Sequence, residues 1–227
     1  MTSIATALRR AATTALDVAL PANCVGCGAE GAALCKTCHP ALDGRLEEPA
    51  GVPIGMPADI PPGLLQLDWC APFSGVIRQA LHAIKYSGEQ RVAEPWGDAI
   101  ARRWARIGVG ADIVTHVPVH AERARHRGYD QAELIARSAA RHLGLPHATL
   151  LVRARATIAQ FDLDRRKRAT NVRGAFTLRD HAPPVRGRWI LLVDDVLTTG
   201  STLAAAADAL ERAGAAAVSA CTVARER

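Results

Sequence analysis

The clearest structural signal in the chain is Arg186-Gly-Arg-Trp-Ile-Leu-Leu-Val-Asp-Asp-Val-Leu-Thr-Thr-Gly-Ser-Thr202, which an alanine-rich segment follows. Its continuous apolar run, from Trp189 to Val193, predicts a strand that is buried on both faces, as in parallel sheets. Two carboxylates, Asp194 and Asp195, stand at the end of this strand, and a turn of small polar residues then opens a helix. Open α/β sheets bind their ligands at that edge.

The turn provides donors for an anion. It contains Thr198, Thr199, Gly200, Ser201 and Thr202, and the N–H groups at the start of a helix attract phosphate. A phosphate on the turn, beside a polyol held by two carboxylates, describes a ribose phosphate. Acids that only cap the helix are the simpler alternative, but strand, acid pair, turn and helix coincide here. A Walker B strand can also end in two acids, yet the chain has no G-x-x-x-x-G-K-[ST] loop.

The segment Val193-Asp-Asp-Val-Leu-Thr-Thr-Gly-Ser-Thr202 resembles the phosphoribosyl-pyrophosphate (PRPP) signature of type I phosphoribosyltransferases. The resemblance implies that the loop holds the 5′-phosphate of PRPP. It also implies that Asp194 and Asp195 contact the ribose hydroxyls and act as the catalytic pair. An Mg²⁺ ion is expected with PRPP, held largely by PRPP oxygens and water, as this ion usually is.

Helical and extended patterns alternate from Phe73 onward. Apolar stripes predict helices over 76–84, 96–107 and 130–143, and apolar runs predict strands over 112–119, 189–193 and 217–223. Such β–α alternation predicts an α/β fold in which helices flank a mostly parallel sheet. Together with the PRPP signature, it is similar to the type I phosphoribosyltransferase fold.

Composition suits a soluble globular protein. The chain has 227 residues, 49% of them hydrophobic and only 4% aromatic, and a net charge of +6 that suits a polyanionic ligand or nucleic acid. Residues 8–20 include Thr13, Thr14 and Asp17, which make this segment too polar for a signal peptide, so a short amphipathic helix is expected instead. No run is long enough to cross a bilayer. We therefore expect a cytoplasmic protein without membrane insertion.

Two C-x-x-C pairs lie near the amino end, Cys24-Val-Gly-Cys27 and Cys35-Lys-Thr-Cys38. Each pair can direct two thiolates at one ion, and together they complete the tetrahedral site that Zn²⁺ prefers. Four thiolates leave no open position, so the zinc is expected to be structural. Two disulfides are the alternative, which a cytoplasmic location disfavours. Cys70 and Cys221 stand in apolar surroundings and are expected to be buried core residues.

Three arginines, Arg123, Arg125 and Arg127, are crowded between the predicted strand 112–119 and the next helix, and Gly128 permits an unusual turn there. Convergent arginines can clamp phosphate oxygens. Charge runs are usually solvated faces, but type I phosphoribosyltransferases hold the pyrophosphate of PRPP in a loop at this position. The resemblance therefore favours a pyrophosphate site.

Residues 153–173 are rich in arginine, lack clear periodicity at their start and are long for a connection, which favours a functional loop or lid. Arg155, Gln160 and Arg168 are the candidates to face the ligand. With the cysteine pairs, Val117-Pro-Val119 and the segment 127–131, this stretch resembles the ComF family of competence-associated phosphoribosyltransferase-like proteins over nearly the whole chain. One departure is Asp130, where the family pattern leads us to expect Asn.

The cysteine pairs, the proline-rich stretch and the β–α alternation predict three parts: an N-terminal helix and zinc module over 1–45, a proline-rich linker over 46–68, and a phosphoribosyltransferase-like domain over 69–227. The ComF resemblance adds a function. It implies transfer of ribose 5-phosphate from PRPP to a nitrogen nucleophile, a glycosyl transfer, in a protein linked to natural competence and DNA uptake. The rival is a non-catalytic competence factor that binds single-stranded DNA, works with other competence proteins and uses the PRPP pocket only for sensing. The acceptor, the oligomeric state and the role of Lys85 cannot be inferred from the sequence.

Overall fold

A computed structural model describes residues 22–49, 61–153 and 174–226 of the chain. Its strands are β1 (Gln66–Pro72), β2 (Ile113–His116), β3 (Leu151–Arg153), β4 (Phe176–Leu178), β5 (Trp189–Leu197) and β6 (Ala217–Arg225). Its α-helices are α1 (Gly75–His82), α2 (Ala93–Ile107), α3 (Ala121–Arg127), α4 (Gln131–Leu143) and α5 (Ser201–Arg212). Short 3₁₀ turns cover His39–Asp43 and Gln90–Val92, and a π turn covers Ala83–Ser87.

Four strands form one parallel sheet in the order β1–β6–β5–β2. Val193 of β5 pairs with Cys221 on one side and with His116 on the other, so β5 lies inside the sheet. The predicted α/β fold with a mostly parallel sheet is therefore confirmed. Strands β3 and β4 form a separate antiparallel hairpin.

Both faces of the sheet are covered, as the apolar run in β5 predicts. Leu191 and Val193 pack into the cluster that includes α1, α2 and α4, and Ile190 and Leu192 pack into the cluster with α5 and the hairpin. All four side chains are at most 1% exposed. Successive side chains of a strand alternate between its faces, so a run without polar residues fits only a strand covered on both sides.

Helices α2 and α4 approach each other closely on the first face. A Cβ placed on Gly97 would lie 2.3 Å from Cβ of Ser138, so only glycine permits this approach. The Ser138 hydroxyl donates to the backbone carbonyl of Glu94 at 3.1 Å and to its carboxylate at 2.8 Å. This pair joins the middle of α4 to the start of α2, and α4 contributes to the site described below.

The structure adds three strands and one helix that the sequence patterns miss. Strand β1 begins at Gln66, so the expected boundary at residue 69 falls inside a strand. The buried polar residues Gln66 and Asp68 hide its apolar pattern. Helix α3 occupies the arginine-rich stretch, and β3 and β4 flank the segment 154–173.

The predicted helix over residues 8–20 lies outside the described residues. Within the described ranges, no helix combines the length and apolar character needed to cross a membrane. Cys70 and Cys221 are 2% and 0% exposed, which confirms their predicted place in the core.

Candidate functional site

The acid pair lies near the carboxyl end of the central strand β5, which continues to Leu197. Asp195 is only 6% exposed and Asp194 is half-buried. The backbone N–H of Asp195 donates to Oδ1 of Asp194 at 2.8 Å. Two carboxylates are therefore held side by side in a largely buried position, where unpaired charge is costly.

Two side chains from other elements support Asp195. The Nζ of Lys85, in the π turn after α1, lies 2.9 Å from Oδ2 of Asp195. The Nε2 of Gln131, the first residue of α4, donates to the same oxygen at 2.9 Å. Arg127 in turn donates to Oε1 of Gln131 at 2.9 Å. This network fixes one oxygen of Asp195 and leaves Oδ1 to accept bonds from a ligand.

Lys85 and Gln131 are site residues that the sequence analysis did not identify. Lys85 ends an apolar helical stripe, and its spacing gives no sign of the carboxylate that it meets. Gln131 follows Asp130 at a helix start, where its role as a side-chain donor depends on tertiary contact. Only the folded chain brings these two residues to Asp195.

The environment raises the pKa of Asp194 well above its usual range. Burial is the largest cause, and the neighbouring charge of Asp195 adds to it. The backbone N–H of Asp195 and the charge of Lys85 act in the opposite direction without outweighing these effects. The pair therefore holds its second negative charge at a cost, and additional positive charge would relieve that cost.

A cavity of about 220 Å³ opens over the acid pair. Its wall includes Asp194, Asp195 and Thr202, together with the four cationic side chains Lys85, Arg123, Arg127 and Arg153. Burial, and next the charge of Arg123, lowers the pKa of Arg153. Cations crowded around two carboxylates suit a ligand that carries both phosphates and hydroxyls.

The predicted arginine cluster lies on helix α3. Arg123 and Arg127 stand four residues apart, on one face of the helix, and both line the cavity. Arg125 is exposed and lies outside the wall of this cavity. Gly128 ends the helix with φ of +80°, as its expected turn requires. The structure therefore brings two of the three arginines to the acid pair.

The polar turn leads from β5 into α5. Thr198 and Thr199 are exposed, and the hydroxyl oxygens of Thr199 and Ser201 lie 2.9 Å apart. Gly200 has φ of +76°, and a Cβ added to it would lie 2.7 Å from Cγ of Pro61. Helix α5 begins at Ser201, so its first N–H groups, which lack partners within the helix, lie next to the cavity through Thr202.

The sequence of the chain is similar to those of known proteins. A family model of the phosphoribosyl transferase domain matches residues 130–227. The DNA utilization protein YhgH of Escherichia coli K12 is 33% identical over 193 residues, which cover 82% of this chain and 81% of that protein. The chain belongs to the ComF family of phosphoribosyltransferase-like proteins. Competence protein F of Haemophilus influenzae is 37% identical over 93 residues, covering 40% of this chain and 41% of that protein.

The chain also resembles a solved structure, but more distantly than it resembles its sequence relatives. The glutamine PRPP amidotransferase from B. subtilis is 24% identical and has a TM-score of 0.42, covering 59% of this chain. The matched part spans about a quarter (26%) of that enzyme's length.

Asp130, the departure from the expected ComF pattern, caps helix α4. Its Oδ1 accepts from the N–H groups of Ala132 at 2.9 Å and Glu133 at 3.3 Å. Its Oδ2 accepts from the N–H of Val119 at 2.9 Å, in the loop after β2. Both oxygens therefore accept bonds, which an asparagine side chain, with its single oxygen, cannot do. Burial raises the pKa of Asp130, while these N–H groups oppose the shift.

The four cysteines of the ComF chain's amino-terminal module converge as the sequence predicts. The sulfur atoms of Cys24, Cys27, Cys35 and Cys38 all lie within 4.8 Å of one another. All four thiols are free, and Sγ of Cys27 lies 3.6 Å from Sγ of Cys35. Zinc–sulfur bonds of about 2.3 Å put tetrahedral sulfurs roughly 3.8 Å apart, so the cluster could hold a metal ion such as zinc.

The thiols of this cluster differ in acidity. Burial acts to raise the pKa of Cys24, but backbone hydrogen bonds, first that from Cys35, outweigh it and lower the pKa to about 6. Burial and then the neighbouring thiols raise the pKa of Cys38 to about 12. Metal ligation requires thiolates, and Cys24 is the thiol that the fold prepares best for that state.

The remaining candidates from the sequence, Arg155, Gln160 and Arg168, lie outside the described residues. The structure describes Arg153 before them and Gly174 after them.

Proposed function

We propose that this ComF-family chain binds PRPP with Mg²⁺ over the acid pair and transfers ribose 5-phosphate to a nitrogen nucleophile. The observation that carries the proposal is the cavity in which two carboxylates at the end of β5 meet Lys85, Arg123 and Arg127 beside the start of α5. A sugar phosphate needs cations for its phosphates beside acceptors for its hydroxyls, and this cavity has both in its wall. The fold and the relatives support the same ligand class.

Each part of the site has a distinct role in this proposal. The turn from Thr198 to Thr202 binds the 5′-phosphate with hydroxyl and backbone donors. Arg123 and Arg127 bind the pyrophosphate, and Arg125 contributes to attracting it. Asp194 and Asp195 accept bonds from the ribose hydroxyls and stabilise the positive charge that develops on the ribose as pyrophosphate leaves.

The donors at the acid pair fit Mg²⁺, which prefers oxygen ligands. One oxygen of Asp195 is occupied by Lys85 and Gln131, and Oδ1 of Asp194 accepts from the backbone, so one oxygen on each carboxylate remains. The raised pKa of Asp194 indicates a carboxylate that further positive charge would stabilise. When bound, Mg²⁺ supplies neutralisation of the pyrophosphate.

We assign zinc to the four-cysteine cluster, with a structural role. Four sulfur ligands leave no coordination position for a substrate. The protein purified under reducing conditions should contain about one Zn²⁺ per chain. Cys24→Ser should lower both the metal content and the thermal stability, and zinc-free protein with four alkylatable thiols would contradict the assignment.

Thermal shift with PRPP tests the main proposal. PRPP with Mg²⁺ at about one hundred times its Kd should add roughly 2.7 kcal/mol to the free energy of unfolding. The double variant Asp194→Asn/Asp195→Asn, which keeps the shape of both side chains, should lose this shift. Asp208→Asn, which removes one exposed carboxylate on α5, is the matched control and should keep the shift. An unchanged shift in the double variant would refute the proposal.

Transfer itself is tested by pyrophosphate release. The protein is incubated with PRPP, Mg²⁺ and a panel of nitrogen nucleophiles, and acceptor-dependent pyrophosphate is measured. Release that depends on the acceptor and is absent in the double variant supports transfer. PRPP binding without release supports a sensing role.

A second function is non-catalytic binding of single-stranded DNA, which the names of the relatives, a DNA utilization protein and a competence protein, favour. The sequence offers Arg165, Arg166, Lys167 and Arg168 for phosphate contacts. Neutralising them should flatten the salt dependence of DNA binding by roughly one unit for each lost phosphate contact. PRPP affinity should then stay unchanged. If their role is instead in the PRPP site, PRPP affinity should fall.

A further inference from the structure

An exposed aromatic side chain stands at the rim of the acid-pair cavity. Tyr86 is 69% exposed, follows Lys85 directly and lines the cavity of about 220 Å³. It also lines a neighbouring cavity of about 700 Å³, and the two cavities share Lys85, Tyr86, Arg123 and Arg127 in their walls. A ligand that extends from the acid pair into the larger cavity therefore runs along this shared wall, in which Tyr86 is the aromatic side chain.

The ring of Tyr86 stands among planar and cationic groups. The guanidinium carbon of Arg127 lies 5.5 Å from its ring centroid. The ring of His82 lies 4.6 Å away, centroid to centroid, at an angle of 43°. These contacts orient the ring, while its large exposed fraction leaves most of its surface open. Aromatic faces in such a position stack well on other planar rings.

The backbone that carries Tyr86 is fixed by a tertiary contact. The Tyr129 hydroxyl donates to the carbonyl of Ile84, which lies within the same π turn and is fully buried. The Nζ of Lys85 is held by Asp195 at 2.9 Å. Both neighbours on the amino side of Tyr86 are therefore anchored, so a ligand that stacks on the ring meets an ordered surface and loses little entropy in ordering it.

We infer that Tyr86 is the stacking platform for a planar heteroaromatic ring, which is the acceptor of the proposed transfer. The inference rests on the proposed function, because it names the class of molecule that meets the ribose at the acid pair. The heteroaromatic ring of the acceptor stacks on Tyr86 in the larger cavity, and the sugar phosphate of PRPP lies over Asp194 and Asp195. A free nucleobase and a base within single-stranded DNA both present such a heteroaromatic ring.

Calorimetric titration of the full chain with two probes tests the inference. The probes are a panel of free nucleobases and oligodeoxythymidylate. The titrations use about 0.5 M salt, at which phosphate contacts are weakened and stacking persists. Tyr86→Ala should weaken binding of whichever probe the parent protein binds by roughly tenfold, which is the effect expected for loss of one stacked base. Tyr86→Phe keeps the ring and should bind within about twofold of the parent.

Trp189→Ala is the matched control. It removes another exposed aromatic side chain, 41% exposed, from the opposite end of β5, and should bind both probes as the parent does. Loss confined to free bases identifies a small-molecule acceptor, and loss confined to the oligonucleotide identifies a base within a strand. Equal binding by Tyr86→Ala and the parent, or no binding of either probe by the parent, overturns the inference.

The thermal shift with PRPP and Mg²⁺ is measured on the same parent protein. Its absence counts against the proposed function alone, because the probe titrations contain no PRPP. Its presence together with unchanged probe binding in Tyr86→Ala counts against the stacking platform alone. The two failures are therefore distinguishable.

Discussion

Lys85 neutralises part of the acid pair from an element distant in sequence. Its ammonium group and the Gln131 amide share Oδ2 of Asp195, so the carboxylate presents its other oxygen in a fixed direction. The same ammonium group faces the cavity in which a polyanion is proposed to bind. Loss of this side chain should therefore affect binding both through the position of Asp195 and through charge.

Lys85→Met should weaken PRPP binding by roughly tenfold or more, the usual effect of losing one hydrogen bond to a charged group. The measurement is the thermal shift with PRPP and Mg²⁺ across a concentration series. Arg137→Met is the control, because it changes the net charge equally at the exposed Arg137–Glu133 pair on α4. Equal shifts in the two variants would show that Lys85 acts only through net charge.

Gly200 combines two constraints that can be separated. Its φ of +76° disfavours any other residue, and an added Cβ would overlap Cγ of Pro61. Gly200→Ala should lower the free energy of unfolding by roughly 2–4 kcal/mol, since strain and overlap add. Gly144→Ala meets φ of +68° with open space around it and should cost about 1 kcal/mol.

Pro61→Ala removes the overlapping atom and tests this explanation. In that background, the cost of Gly200→Ala should fall toward the cost of Gly144→Ala, as measured by urea denaturation. An unchanged cost would mean that Pro61 gives way and that backbone strain alone explains the effect.

At the scale of single residues, the sequence indicates those candidate-site residues that are neighbours in the chain. Asp194, Asp195 and the polar turn form one local unit whose chemistry can be interpreted without a fold. Lys85 and Gln131 could not be predicted, because they meet Asp195 only after folding. Gln131 and Asp195 are 64 residues apart in the chain, and Lys85 is farther still from Asp195. The role of Asp130 likewise could not be predicted, because it includes a hydrogen bond from the backbone N–H of Val119 that forms only in the folded chain.

At the scale of the elements, a histidine of strand β2 and its stacking partner make the free energy of unfolding depend on pH. The rings of His116 and His147 stack with centroids 5.6 Å apart, and burial is the largest cause that lowers the pKa of each to about 4. The positive charge of Arg137 also lowers both pKa values, whereas the negative charge of Glu133 acts to raise them. Unfolded histidine has a pKa near 6.5, so the unfolded chain binds more protons between about pH 6.5 and pH 4.

The contribution of the two histidines to the free energy of unfolding should therefore be largest above about pH 6.5 and fall as the pH drops toward about 4. The slope is at most about 1.4 kcal/mol per pH unit for each histidine, and smaller for the partly exposed His147. His147→Gln should reduce the slope without abolishing it, as measured by denaturant unfolding across this range. An equal slope in the variant and the parent would assign the pH dependence to other groups.

Among the elements, those with a clear apolar pattern were predicted and those without one were not. Helices α2 and α4 have an apolar stripe with helical period, and strands β5 and β6 have a continuous apolar run that is buried on both faces. Helix α3 has no buried residue, so it leaves no apolar stripe to detect. Strand β1 includes Gln66 and Asp68, whose burial depends on partners elsewhere in the chain.

At the scale of the whole molecule, a buried arginine joins the four-cysteine module to the domain. Arg103 of α2 is 1% exposed, and its Nη2 lies 2.8 Å from Oδ2 of Asp68 in β1. It also donates to the carbonyl of Arg45, to that of Glu48 at 2.6 Å and to that of Pro49 at 3.2 Å. One side chain thus ties the chain that leaves the module to both a helix and a strand.

Arg103→Met should lower the free energy of unfolding by about 3–5 kcal/mol, because it removes the closer of the two cations that pair with buried Asp68, leaving Arg45 at 3.5 Å, and deprives the carbonyls of residues 45, 48 and 49 of a donor. Arg106→Met is the control: Arg106 lies on the same helix and pairs with Glu47 of the same segment, but in solvent, so its loss should cost less than about 1 kcal/mol. Urea denaturation measures both, and metal analysis should show unchanged zinc in Arg103→Met because no sulfur ligand is touched. If the two arginine variants cost the same, the module is held by its apolar contacts with α1, where Val76 packs against the buried cluster that contains Cys24 and Cys38, and the buried ion pair contributes little beyond its own desolvation.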